Sequence, residues 1–277
     1  MKIDGKKIAE EIKSELKTKA SFFRSQNIFP HLAIIMIGED LNSLSYVKQK
    51  EIQAKKIGIK TSIYRLQTKK NLSDLCLKLN QDDSVHGIII QRPLPFRINN
   101  KELDRLVVSQ KDIDGFRPKS KFSPPISLAV YLILENVHKF SKENFSFDRW
   151  LKRKKILVIG RGVTGGKPIS EFFKKLQVRH KTADSKTENL KKMCLEADII
   201  ISCIGKYNVV RHSMIKQNTI LIGVGISRNK SILQTDYDQK EMEKLGMVYT
   251  PTPGGVGPVN VACLFENLLK AVSSQLR

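Results

Sequence analysis

Apolar residues recur at helical spacing through Ile8, Ile12, Leu16 and Ala20, which predicts an amphipathic helix over residues 6–22. The run Leu32-Ala33-Ile34-Ile35-Met36-Ile37 is apolar at every position and ends at Gly38, so it reads as a strand buried on both faces. A helix should follow, capped by Ser43 and carrying Tyr46 and Lys50 on one face. Residues 60–66 alternate as a strand, 72–79 repeat as a helix, and Gly87-Ile88-Ile89-Ile90-Gln91 is a further buried strand. Such β-α-β-α-β order implies a parallel sheet whose binding side chains gather at the carboxyl ends of the strands, where Gln91 stands.

The second half repeats the theme. A helix over 126–137 is long enough to connect two lobes, and a polar stretch follows to Trp150. The strand 155–159 then runs into Gly160-Arg161-Gly162-Val163-Thr164-Gly165 and a helix from about Pro168 to Leu176. A strand over 178–183 ends at Asp184, and apolar runs at 198–205 and 219–226 both contain late glycines. Thr250 to Asn260 is a glycine-proline loop that opens a C-terminal helix. The fold class expected is α/β in two lobes, with a cleft between an N-terminal parallel-sheet lobe and a Rossmann-like dinucleotide-binding lobe. Residues 1–125 plus 259–277 would form the first and 126–258 the second.

Composition narrows the function classes. The 277 residues, 40% hydrophobic, suffice for two modest cores. A net charge of +22 attracts nucleic acid, acidic membranes and small anions alike. The lysines are spread along every segment, however, without a basic block or interleaved aromatics, so no nucleic-acid partner is expected. Cys76, Cys194, Cys203 and Cys263 are far apart and lack zinc or redox spacing, which fits a reducing cytoplasm and no metal. There is no signal core and no apolar run of bilayer length, so no membrane association is expected.

Four places carry candidate chemistry. Tyr46 offers a ring for stacking, and a desolvated Lys50 beside it can work as acid or base. Alone, that pair in a lysine-rich chain describes a solvated helix face. Asp112 and Asp114 share a glycine turn, Lys111-Asp112-Ile113-Asp114-Gly115-Phe116, whose plainest reading is turn chemistry. The Gly160-x-Gly162-x-x-Gly165 turn lets a pyrophosphate approach backbone N–H groups at a helix N-terminus, and Asp184 stands where an acid could bind a ribose. The loop around Gly254, Gly255 and Pro258 has exposed N–H groups that could meet a ligand.

Taken together, Ser43-x-x-Tyr46-Val47-x-x-Lys50, Gly87-Ile88-Ile89-Ile90-Gln91-x-Pro93-Leu94-Pro95, Lys111 to Phe116, Val224-Gly225-Ile226 and Pro253-Gly254-Gly255-Val256-Gly257-Pro258 resemble the bifunctional methylenetetrahydrofolate dehydrogenase/methenyltetrahydrofolate cyclohydrolase family, nearly end to end. The resemblance implies that Tyr46 stacks on the folate ring, Lys50 is the acid/base group, Gln91 orients it and helps keep it neutral, and Asp114 holds the pterin. Gly254, Gly255 and Pro258 would contact substrate, while Gly160, Arg161, Gly162, Gly165, Asp184, Ser185 and Ile226 would line the cofactor. It further implies oxidation of 5,10-methylenetetrahydrofolate with NADP, hydrolysis to 10-formyltetrahydrofolate, a place in one-carbon metabolism and purine biosynthesis, and a cytoplasmic homodimer.

The departures from the family cluster. The segment after Phe116 is short, reduced to Ser123-Pro124-Pro125, and Arg92 replaces the leucine usual after Gln91, where it could meet the folate's acidic tail or face water. Gly162, Gly165, Asp184, Gly223 and Asn260 replace a serine, a valine, a histidine, an aspartate and a threonine. Asp184 would repel a 2′-phosphate and favour NAD, whereas Arg161 and Ser185 stand where the family binds NADP. Ser185 could instead form a capping box with Glu188. Two further readings stay open: a cyclohydrolase with weak or NAD-shifted dehydrogenase activity, and a non-catalytic basic protein that binds nucleic acid.

Overall fold

The computed structural model describes residues 1–96, 98–141, 143–230 and 232–276, with the side chains of Leu41 and Asn42 outside that description. Its contacts divide the chain into two compact units, Glu10–Pro125 with Val261–Arg277, and Met1–Ala9 with Ile126–Asn260.

The first unit is built on a three-stranded parallel sheet in the order β2-β1-β3, from β1 (His31–Ile37), β2 (Lys60–Leu66) and β3 (Gly87–Ile90). Side chains alternate across a strand, so the all-apolar β1 feeds two cores at once. Leu32, Ile34 and Met36 pack with Leu16 and Ala20 of α1 (Gly5–Ser25), Ala54 of α2 (Leu41–Ile57) and Phe265 and Leu268 of α10 (Val256–Gln275). Ala33, Ile35 and Ile37 pack on the other face with Leu72, Cys76 and Leu79 of α3 (Leu72–Gln81) and with Leu103 of the short α4 (Asn100–Leu103).

The helix that carries Lys50 begins earlier than the sequence pattern suggests. Asp40, not Ser43, is its cap, accepting from the Ser43 N–H at 2.8 Å, and the Ser43 hydroxyl is buried inside the helix with no partner among the described residues. An ionised side chain at the cap position also favours the positive end of the helix, which explains why the earlier residue takes the role. Gly58 ends the helix at φ +86°, a left-handed conformation suited to glycine.

The second unit holds α5 (Pro125–Lys139), α6 (Phe147–Arg153), β4 (Ile156–Ile159), α7 (Gly166–Lys175), β5 (His180–Ala183), α8 (Leu190–Glu196), β6 (Ile199–Ser202), β7 (Ile220–Gly223), β8 (Ile226–Asn229), β9 (Ile232–Thr235), α9 (Gln239–Lys244) and β10 (Val248–Tyr249). Five strands form a parallel sheet in the order β10-β7-β6-β4-β5, so successive connections leave β4 toward opposite edges. The expected strand over 219–226 is in fact two. Val224 and Gly225 both turn their N–H groups onto the Ser202 carbonyl, at 2.8 and 2.9 Å, and the chain then pairs antiparallel as a β8–β9 ribbon. The polar stretch before Trp150 leads into α6, which buries Trp150 and Leu151.

Residues 1–9 were expected with the first unit and lie with the second. Ile3 donates its N–H to the Tyr249 carbonyl at 2.8 Å, and the N-terminal ammonium reaches the Met247 carbonyl at 2.7 Å, so the chain start extends the sheet beside β10. Among the described residues no helix is long and apolar enough to cross a membrane.

Candidate active site

Lys50 sits near the middle of α2, half-buried, and its Nζ donates to Gln91 Oε1 at 2.8 Å. Gln91 is held in place by the sheet: it follows β3 and donates its N–H to the Ile35 carbonyl at 2.8 Å. Its amide nitrogen donates to the Arg92 carbonyl at 2.7 Å. A carbonyl accepts and an ammonium donates, so the two partners together fix which end of the amide faces Lys50. Burial pushes the Lys50 ammonium below the ordinary lysine range, and the charge of Asp114 opposes that shift. Asp114 shows the mirror image, its carboxyl raised by burial and pulled down by Lys50 and then Arg92. No described residue donates a hydrogen bond to the Asp114 carboxylate, so its acceptor positions are open to a ligand.

The two acids of the glycine turn have different work. Asp112 is buried and serves the turn: its Oδ2 accepts from the Arg117 N–H at 2.9 Å, and its carbonyl accepts from the Gly115 N–H at 3.0 Å. Burial raises its carboxyl to about 6. Lys111 braces the same turn by donating to the carbonyls of Leu79 and Asp82, at 3.0 and 2.7 Å. Of the two acids, Asp114 is the one coupled electrostatically to Lys50. Tyr46 lies one turn before Lys50 on α2 and is 47% exposed, a ring with a free face.

Arg92, expected to meet the folate's acidic tail or to face water, is largely shielded from water and engaged within its own unit. Its side chain is 11% exposed, pairs with Asp104, and lies over the Phe116 ring.

In the second unit the glycine turn connects β4 to α7 at the carboxyl edge of the sheet, where connections diverge. Gly160 adopts φ +102°, and a Cβ there would come within 2.9 Å of the Cys203 carbonyl oxygen at the end of neighbouring β6. Gly162 has open space where a Cβ would be, and Gly165 is the N-cap of α7. The glycine that lets helix and strand close together is Gly166, outside the sequence fingerprint: its Cβ would sit 1.8 Å from the Gly160 carbonyl oxygen. These features fit a dinucleotide pyrophosphate at the helix N-terminus.

Arg161 Nε pairs with Asp184 Oδ2 at 3.2 Å, so the acid at the end of β5 does not stand alone. Its Oδ1 accepts from the Lys186 N–H at 3.0 Å, and Ser185 is exposed in the resulting turn. The capping box proposed for Ser185 and Glu188 does not form, because α8 starts only at Leu190. Ile226 begins β8, and Gly205, at φ +72°, lies against its backbone.

Gly254, Gly255 and Pro258 also belong to the second unit. Gly254 has φ +104°, and a Cβ on Gly255 would fall 2.5 Å from the Pro251 carbonyl oxygen, so both glycines answer needs of the turn itself. Pro258 stands in the first turn of α10, which already includes the latter half of the expected loop. Asp236 carries no sequence signature yet organises the loop after β6. It is fully buried and accepts from the Ser202 hydroxyl at 2.6 Å and from the N–H groups of Ile204 and Lys206 at 2.9 and 2.8 Å.

A parallel-sheet unit with a desolvated lysine, joined to a dinucleotide-binding α/β unit, defines a two-domain nicotinamide-dependent enzyme. Residues 3–114 match the catalytic domain of tetrahydrofolate dehydrogenase/cyclohydrolase, and residues 144–276 match the NAD(P)-binding domain of the same family. The bifunctional protein FolD of Campylobacter jejuni (strain RM1221) is 35% identical over 288 residues, covering 99% of both chains. That of Pelagibacter ubique is 33% identical over 281 residues, covering 97% of this chain and 96% of its own. The crystal structure of the bifunctional enzyme FolD from Campylobacter jejuni superposes with a TM-score of 0.89 at 34% identity, covering 99% of each chain. The chain belongs to the tetrahydrofolate dehydrogenase/cyclohydrolase family.

Proposed function

We propose that the chain oxidises 5,10-methylenetetrahydrofolate to the methenyl form and hydrolyses that product to 10-formyltetrahydrofolate, with Lys50 moving the proton. The observation that carries the reading is the Lys50–Gln91 hydrogen bond at 2.8 Å beside the open Asp114 carboxylate. A lysine must fall from about 10 to roughly 7–8 to act as a base at neutral pH. Desolvation moves Lys50 in that direction, and a neutral amide partner, unlike a carboxylate, does little to restore its charge.

The exposed Tyr46 ring offers a stacking surface to the pterin. Asp114 accepts from the N–H groups along the pterin edge. Neutral Lys50 takes a proton from the water that adds to the one-carbon bridge, leaving a hydroxyl on that carbon; it returns the proton to N5 as the C–N5 bond breaks, and the hydroxyl proton passes to solvent, so that the formyl group stays on N10 and one proton is released overall. When bound, the nicotinamide dinucleotide supplies the hydride acceptor for the first step. Gly160, Gly162 and Gly165 admit its pyrophosphate, and Arg161, Asp184, Ser185 and Ile226 border the rest of its path. The resemblance also assigns substrate contacts to Gly254, Gly255 and Pro258.

We take NADP as the dinucleotide, because Arg161 offsets the charge of Asp184 that would repel a 2′-phosphate. Asp184 itself favours the second reading, NAD. The resemblance also supports a cytoplasmic homodimer.

The test is Lys50→Gln, with folding checked by circular dichroism. Cyclohydrolase turnover should fall by at least about a hundredfold, the typical worth of a positioned acid/base group. Retention of most of the turnover would remove Lys50 from that role.

A further inference from the structure

Arg92, next to Gln91 in the chain, makes three side-chain contacts. Its Nη2 pairs with the Asp104 carboxylate, just past α4, and its Nη1 donates to Asn100 Oδ1 at 3.2 Å. Its Cζ lies 4.6 Å from the centroid of the Phe116 ring, two residues beyond Asp114. Nε is buried and has no partner among the described residues, and the guanidinium is placed by these three contacts. The ion pair is mostly out of solvent, with side-chain exposures of 11% and 16%, and a planar fork in such a site is far more restrictive than a flexible ammonium. One side chain thus joins three segments: the end of β3, α4 with its C-terminal residue, and the Asp112–Phe116 turn.

The same residue's carbonyl receives the Gln91 amide nitrogen, the bond that commits Oε1 to Lys50. Were residue 92 free to rotate, that carbonyl would move and the amide would lose its fixed orientation.

We propose that Arg92 is a positioning residue for the Lys50 centre: through Asp104, Asn100 and Phe116, its guanidinium holds the Gln91–Arg92 link and the Asp114 turn in one arrangement. This rests on the roles given above to Lys50 and Asp114. A second effect comes with its charge. The charged groups acting on Asp114 are Lys50 from α2 and Arg92 after β3, while Asp112 in its own turn is a like-charge neighbour. Removing Arg92 leaves Asp114 with one cation fewer against burial, so the carboxylate protonates at a higher pH.

Arg92→Leu alone would strand the Asp104 charge, so the informative variants are Arg92→Leu combined with Asp104→Asn, and Arg92→Lys. Cyclohydrolase kcat and KM are measured from pH 5 to 9 for both and for the unaltered enzyme, with melting temperature recorded alongside. In the double variant, the pH below which KM rises should move up by about one unit, the scale of a nearby opposite charge. In Arg92→Lys that pH should stay in place while kcat falls several-fold, because the charge survives and the fork does not. If the double variant fails to fold, the kcat of Arg92→Lys decides.

Unchanged kcat in Arg92→Lys overturns the proposal. So does a double variant that is less stable but keeps the unaltered KM profile, since that is a packing role alone. Failure of the unaltered chain to hydrolyse methenyltetrahydrofolate, or full activity in Lys50→Gln, would instead overturn the reading beneath it.

Discussion

The Nζ of Lys50 lies 2.8 Å from Oε1 of Gln91, a neutral acceptor in the place where a carboxylate would make an ion pair. This choice of amide keeps the lysine dischargeable. Desolvation lowers its affinity for a proton, and the charge of Asp114 counters that effect.

Gln91→Glu preserves the shape and the hydrogen bond while adding the missing charge. The ammonium form of Lys50 is then favoured, so its affinity for a proton rises. On the proposed mechanism, with the neutral amine as the base, cyclohydrolase kcat should need a higher pH to reach its plateau, by about one unit or more, and should fall about tenfold at pH 7. A kcat profile that does not move would separate Lys50 titration from the rate.

Arg161 and Asp184 pair at 3.2 Å, and on the proposed reading of the cofactor site the balance between them sets the dinucleotide preference. Arg161→Ala leaves the acid uncompensated. Dehydrogenase kcat/KM with NADP should drop about tenfold or more, the worth of a charge-assisted hydrogen bond, while kcat/KM with NAD changes little. Asp184→Ser should shift the ratio the other way. Equal losses with both cofactors on removing Arg161 would show that it does not discriminate the 2′-phosphate.

Asp112 should make stability fall as pH rises. Its carboxyl is at about 6 in the folded chain against an ordinary 3.8. Below pH 3.8 it is protonated folded or unfolded, and no penalty applies. Above 6 the folded state must ionise a buried group, a cost of about 3 kcal/mol. Asp112→Asn keeps an oxygen for the Arg117 N–H and removes the ionisation. Urea unfolding at pH 8 should find this variant more stable than the parent, with the gap closing toward pH 4. A variant less stable at pH 8 would mean that the charged form is needed for the turn.

The sequence by itself determined the elements whose signal is local. The unbroken apolar run of β1, the glycine turn after β4 and the four-residue spacing of Tyr46 and Lys50 were legible because one strand or one helix suffices to express them. It also determined the family, since its motifs stand in order along nearly the whole chain. Tertiary structure decided what each polar side chain is paired with. Arg92 looked free until α4 brought Asp104 and Asn100 to it, and Asp184 looked like a lone acid until Arg161 reached across from the neighbouring strand's loop. Asp236 had no signature, because its three donors come from the far end of another strand and the loop beyond it. The physical reason is common to all three: desolvation and charge pairing depend on distances set by packing, and residues remote in sequence supply them.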